Sequence, residues 1–331
     1  MIAAEEDVGA LRRSVARLAA AQTGLRPGTA ELVATELGTN LVRHAHPGGY
    51  VLVRRAGDGI ELLSVDSGPG MTGSALAPAA DGAVAAQAGP FRGGGLSAGL
   101  RVVRRNAVEF DWYSTRRGTV VYARLGTAGS GPDTRWRFGG VNVPYGGDGE
   151  SGDSWTVAPG PTLAALVVDG LGHGSGAAAA SRAAVTAFER HPVTDLERFV
   201  RQAHEAMRGT RGGVLGTCLI DAGRGELSYA AVGNITGRVY TGARSVHLLD
   251  RPGTLGTHLP VPGTRIQRCP WASESTLVLV SDGIRSGWNL EEHPLLTRRH
   301  PAIVAAVVQR DFGRPTDDAT VLVVRGTDRM A

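Results

Sequence analysis

The chain has 331 residues, of which 42% are hydrophobic and 20% charged, with a formal net charge of +4 at pH 7. That length is generous for one compact core and comfortable for two, and the balance excludes a disordered or fibrous chain. All 35 basic residues are arginine, scattered without a basic stripe, so no nucleic-acid partner is expected.

Cys218 and Cys269 are the only cysteines, too few for a disulfide framework and without the paired spacing of a zinc site, which fits the reducing cytoplasm. The first residues, MIAAEEDVGALRRS, are acidic and lack an apolar signal core. The uncharged run from Ser154 to Val168 is interrupted by Pro159 and Pro161. Neither export nor a membrane span is expected.

Up to about Gly126 the pattern mixes helices and strands. An amphipathic stretch (ALRRSVARLAAA) and a second helix (TAELVATELGTNLVRHA) precede the strands YVLVRRA and GIELLSVD. A glycine-rich stretch, another helix and the hairpin VEFDWYSTRRGTVVYARL follow. The small, polar segment TAGSGPDT reads as a linker. Beyond it come short apolar strands that meet acidic turns (TLAALVVD, STLVLVSD, DDATVLVVR), two helical stretches (SGAAAASRAAVTAFERH, TDLERFVRQAHEAMRG) and the strand pair GTCLIDAG and GELSYAAVG. The expectation is an α+β chain with a domain over residues 1–126, a linker over 127–134 and a β-rich domain flanked by helices over 135–331.

Asp153 (ESGDSW), Asp169 (VVDGLGHG), Asp282 (VSDGI) and Asp317 (PTDDAT) each stand where a strand meets a turn. A single Asp-Gly is ordinary turn chemistry. Four in order suggest more, because carboxylates gathered with backbone carbonyls and water suit hard cations such as Mg²⁺ or Mn²⁺. Two such ions close together serve phosphate-ester hydrolysis. His173, between glycines, reads equally as a loop histidine satisfied by backbone or as a proton donor to a leaving alkoxide. Cys218 to Arg224 has the C-x5-R spacing of thiolate phosphatases, but that chemistry needs a low-pKa cysteine on a loop leading into a helix, and here a strand follows.

In the first domain Glu36, Asn40 and His44 are spaced by four, which stacks them on one helical face. Alone, that is a solvated face. Asp66 then leads into DSGPGM, and RGGGLSAGL opens a helix, so glycines and a helix N-terminus are available to phosphates. GPGMTG also fits G-x-G-x-x-G, but Pro78 interrupts a small-residue loop where a dinucleotide fold requires a helix.

GD, DGLGHG leading into a helix, GTCLIDAGRGELSYAAVGN, LVLVSDGI and TDDATVLVV, in that order, resemble the metal-dependent (PP2C-type) phosphatase superfamily. The resemblance is to the branch that includes the sporulation stage II phosphatase and the stressosome feedback phosphatase, over about residues 137–325. It implies a β-sandwich with helices on both faces, Asp169 bridging two metals with the carbonyl of Gly170 on one of them, Asp282 and Asp317 completing the other, and Asp153 reaching its metal directly or through water. Asp318 is the neighbour of a ligand.

The helix bearing Glu36 and Asn40, the Asp66 turn and GGLSAGLRVVRRNAVEF with RRGTVVYARL resemble the histidine-kinase-type ATPase fold, nearest to anti-sigma serine kinases. There Asn40 would hold Mg²⁺, Glu36 would act as base or orient the acceptor, Asp66 would bind the adenine amino group, Gly68 and Gly70 would shape the pocket, and Gly95 and Gly99 would close on the phosphates of Mg-ATP. Together the resemblances imply a kinase and phosphatase acting on STAS-fold anti-anti-sigma or stressosome proteins, with a sigma factor as a further partner. The alternative is a phosphatase whose first domain only binds a sigma factor or STAS protein.

Overall fold

The computed structural model describes residues 1–71, 96–129, 135–147, 149–257, 261 and 263–326. The chain divides into two compact units, Met1–Gly131 and Pro132–Ala331. Among the described residues no helix is long and apolar enough to cross a membrane.

In the first unit helices α1 (Glu5–Ala19), α2 (Thr29–His44) and α3 (Leu96–Asn106) cover an antiparallel sheet of β1 (Gly49–Ala56), β2 (Gly59–Asp66), β3 (Glu109–Thr115) and β4 (Gly118–Leu125) in the order β1-β2-β4-β3. Asp7, in the first turn of α1, accepts through Oδ2 from the Ala3 and Ala4 amides at 2.9 and 3.0 Å, which satisfies donors next to a helix start. Val33, Ala34 and Leu37 of α2 pack on Ile60 and Leu62 of β2 and on Val121 and Ala123 of β4. The polar side of α2 is thereby turned away from the sheet.

The second unit is a sandwich of two five-stranded sheets. One contains β5 (Trp136–Val143), β10 (Thr236–Thr241), β11 (Arg244–Leu248), β13 (Thr276–Val280) and β14 (Ala319–Gly326), ordered β11-β10-β13-β14-β5. The other contains β6 (Asp153–Ala158), β7 (Thr162–Gly170), β8 (Gly213–Asp221), β9 (Glu226–Val232) and β12 (Gln267–Pro270), ordered β12-β9-β8-β7-β6. Helices α4 (Ser175–Arg190) and α5 (Leu196–Met207) cover the second sheet, and α6 (Pro301–Phe312) packs on β14 and β5 of the first.

Strand β7 is apolar on both faces because both are covered. Leu163, Ala165 and Val167 point between the sheets with Leu277, Leu279, Leu322 and Val324. Ala164, Leu166 and Val168 point outward onto Ala180, Ala184, Phe188 and Phe199 of the helices. This is the two-residue alternation of a strand. Gly139 of β5 admits α6, since a Cβ there would lie 2.6 Å from the Cα of Ala302.

Leu322 is fully buried in the layer between the sheets. Leu322→Ala should lower the stability of the second unit by ~2–5 kcal/mol through lost burial and a residual cavity. Denaturant unfolding followed by tryptophan emission checks this, since Trp136, Trp155, Trp271 and Trp288 all report on that unit.

Candidate functional site

The alternation that builds the sandwich also ends it. On β7 the positions facing the opposite sheet run Leu163, Ala165, Val167 and then Asp169. On β6, Val157 and Trp155 pack against the same apolar layer, and Asp153 follows two residues before Trp155. Asp153 and Asp169 are direct partners in the β6·β7 ladder. Antiparallel partners place their Cβ atoms ~4.5–5.5 Å apart, so two carboxylates meet at the mouth of the interior. From the other sheet, Ser281 follows β13 and Thr320 lies on β14, both buried, with Ser281 Oγ accepting from the Thr320 amide at 2.9 Å. Asp282 and Asp317 lie on the turns beside them.

Burial raises the carboxyl of Asp169 to about 9, with the charges of Asp153, Asp282 and Asp317 adding to it. Burial likewise pushes Asp153 to about 7, against the lowering effect of the Ser281 and Thr320 hydroxyls, with Asp318 and Asp282 opposing ionisation. Asp317 is also raised, by burial first and then by Asp282. Asp282 is exposed, and its Oδ2 accepts from Asn234 Nδ2 at 2.8 Å. The charges of Asp153, Asp282 and Asp317 therefore all act on Asp169, as a shared site requires.

Asp318 is held by backbone amides. Its Oδ1 accepts from the Tyr145 amide and its Oδ2 from the Gly152 amide, both at 2.7 Å. The Gly152 carbonyl in turn accepts from the Gly170 amide at 3.1 Å. Both Asp318 oxygens thus hold the segment that leads into Asp153.

The aspartates fit a hard cation on their own chemistry. Asp153 Oδ2 is buried with no hydrogen-bond partner among the described residues, a state that costs free energy unless a proton or cation occupies it. Among the described residues no three His, Cys, Asp or Glu side chains converge closely enough to cage an ion by themselves. An open site completed by backbone carbonyl and water is a normal arrangement for Mg²⁺.

The β7–α4 loop carries the remaining groups. Gly170 ends β7, and His173 is exposed between Gly172 and Gly174, its ring 5.4 Å from that of Tyr145. Arg211, not singled out from the sequence, reaches the same loop, its Nη1 donating to the His173 carbonyl at 3.4 Å. Asn234 was also missed. Asn234 lies beside Asp282 because β10 pairs with β13, and Arg211 lies beside the β7–α4 loop because β8 pairs with β7; no local motif reveals either. Cys218 is buried in β8, and burial drives its thiol up to about 12, the opposite of an activated nucleophile.

In the first unit Glu36 and Asn40 of α2 face Gly99 of α3. A Cβ at Gly99 would lie 2.7 Å from Glu36 Oε2 and 3.4 Å from both amide atoms of Asn40. Asn40 Nδ2 is buried with no partner among the described residues. Asp66, at the end of β2, accepts through Oδ1 from the Gly68 amide at 2.8 Å and the Thr119 amide at 3.1 Å. Gly68 packs under the carbonyl of His44 and the Cα of Ala45, and Gly70 takes the left-handed φ of 76°. Glu36, Asn40 and the Asp66 turn thus follow one another along α2. Gly95 lies outside the described residues.

A family model described as stage II sporulation protein E matches residues 159–327, more than half of the chain. The chain belongs to the SpoIIE family. A second model, histidine kinase-like ATPase domain, matches residues 1–125. The chain thus joins a histidine-kinase-like ATPase domain to a SpoIIE domain of the PP2C-type phosphatase fold. None of the curated proteins matches it. Among solved structures, one from work on the bacterial stressosome as a modular system adapted to control secondary messenger signaling is 29% identical, with a TM-score of 0.53, covering 57% of this chain and 99% of that one. RsbX in complex with magnesium is 21% identical with a TM-score of 0.52, covering 59% of this chain and 97% of its own, a likeness of fold.

The raised carboxyls of the SpoIIE domain set a direction for stability. In metal-stripped protein Asp153 and Asp169 keep their protons to about 7 and about 9, whereas the unfolded chain releases them near ~3.9. Between those values the folded state binds more protons, so stability falls as pH rises. The melting temperature of the chelated protein should decline from pH 5 to pH 8, and Asp169→Asn should flatten the slope. Calorimetry across that range checks it, and a rising melting temperature would contradict it.

Proposed function

We propose that residues 135–331 form a protein serine/threonine phosphatase that depends on two Mn²⁺ or Mg²⁺ ions, and that residues 1–126 bind Mg-ATP and act as an anti-sigma-type serine kinase. Both act on STAS-fold anti-anti-sigma or stressosome proteins in the cytoplasm. The observation that carries the phosphatase reading is the pair Asp153 and Asp169, facing each other at the mouth of the sandwich with carboxyls held up by burial and by neighbouring carboxylates. Membership of the SpoIIE family supports it, and two unpaired, buried cysteines agree with a reducing compartment.

Asp169 would serve both ions, the Gly170 carbonyl would hold one of them, Asp282 and Asp317 would complete the other, and Asp153 would reach its ion directly or through water. The chemistry such ions supply is activation of a water and neutralisation of phosphoryl oxygens for in-line displacement. Asn234 orients Asp282 through its amide hydrogen bond. Asp318, whose two oxygens accept from backbone amides, would position the approach to Asp153 and stand beside the ligand Asp317. His173, exposed on its glycine loop, would give its imidazole proton to the departing seryl or threonyl oxygen.

Hydrolysis of a phosphorylated STAS protein should require Mn²⁺ or Mg²⁺ and should vanish in Asp169→Asn, while Cys218→Ser keeps it. Full activity in excess chelator would overturn the metal reading. Loss of activity in a folded Cys218→Ser protein would do so in favour of a thiolate.

In the ATPase domain Asp66 would accept from the adenine amino group, Gly68 and Gly70 would shape that pocket, Asn40 would hold Mg²⁺, Glu36 would orient or deprotonate the acceptor hydroxyl, and Gly95 and Gly99 would approach the phosphates. The Gly68 and Thr119 amides on Oδ1 fix the Asp66 carboxylate for that contact. Asp66→Asn should weaken ATP binding about tenfold or more, the worth of a hydrogen bond to a charged group. Titration calorimetry decides it, and equal affinity in the variant would remove Asp66 from the pocket.

A further inference from the structure

Phosphoester hydrolysis at the aspartate mouth must hold a dianionic group against carboxylates that repel it. Arg211 stands two residues before β8, at the end of the ladder where Gly170 pairs with Gly213 and Asp169 with Val214. The Leu171 amide donates to the Gly212 carbonyl at 3.0 Å, so the chain leaves the sheet on the edge that carries Asp169. The guanidinium then lies against the turn that enters α4. A Cβ at Gly172 would come within 3.3 Å of Nη1, and one at Gly176 within 2.7 Å of Nε.

From the end of β7 into the first turn of α4 glycine stands at 170, 172, 174 and 176, and two of these, Gly172 and Gly176, leave the space the guanidinium fills. Arg211 is exposed, and its one hydrogen bond among the described residues is the 3.4 Å contact to the His173 carbonyl. A guanidinium has five N–H donors in a planar fork matched to phosphate. An arginine serving only to brace the loop would spend more of them on carbonyls or a carboxylate. We infer that Arg211 binds the phosphoryl oxygens of the substrate, and after hydrolysis those of the phosphate product, across the loop from the aspartates. This rests on the phosphatase reading and adds the grip on the anion that the aspartates cannot provide.

The test uses the full chain with Mn²⁺. KM and kcat are measured for para-nitrophenyl phosphate, together with the inhibition constant of inorganic phosphate and, by calorimetry, the affinity for Mn²⁺ alone. Arg211→Ala should raise KM and the phosphate inhibition constant about tenfold, in keeping with loss of a charge-assisted contact, and leave Mn²⁺ affinity unchanged. Arg211→Lys should recover part of the phosphate affinity, since it restores the charge without the fork. Unchanged phosphate inhibition in an active Arg211→Ala protein overturns the inference. A parallel loss of Mn²⁺ affinity also overturns it, assigning Arg211 to loop support. A wild-type chain without metal-dependent hydrolysis removes the phosphatase reading, and this inference with it.

Discussion

The second unit depends on a conflict at one register position. Asp153 and Asp169 are ladder partners, and like charges directly opposite each other destabilise a sheet. They also sit where burial opposes ionisation. The rest of the unit holds this arrangement in place: apolar side chains continue both strands inward, helices seal the outer face of β7, and hydroxyls of the opposing sheet soften the penalty. A protein retains such a conflict when something else resolves it, and a divalent cation does so with the opposite charge.

Much of this was legible in the sequence for a physical reason. TLAALVVD reads as a strand because both its faces are covered, so the run is apolar throughout until it meets its aspartate. The two alanine-rich and amphipathic stretches became α4 and α5 with bounds close to those expected. The helix PAIVAAVVQRDF was not read at all. Residues 301–308 of α6 are buried at every position, so no polar face marks the helical period. Strand β11 escaped for the opposite reason, being exposed along most of its length.

The candidate sites divide in the same way. The aspartates announce themselves because each stands where a strand meets a turn, and Glu36 and Asn40 because helical spacing aligns them. Gly99 was expected from its glycine-rich run, but its approach to Glu36 and Asn40 depends on how α3 packs on α2. Arg211 and Asn234 carry no motif. Their position follows from strand pairing: β8 beside β7 brings Arg211 to the turn after β7, and β10 beside β13 brings Asn234 to Asp282.

Asp318 has a consequence for the capture of an ion. Its carboxylate ties the start of β14 to Tyr145 and Gly152, residues far away in sequence. The segment approaching Asp153 is thus held by hydrogen bonds internal to the protein, and the entropy of ordering it is spent during folding. On the proposed metal reading, ordering that segment is no part of capturing a cation.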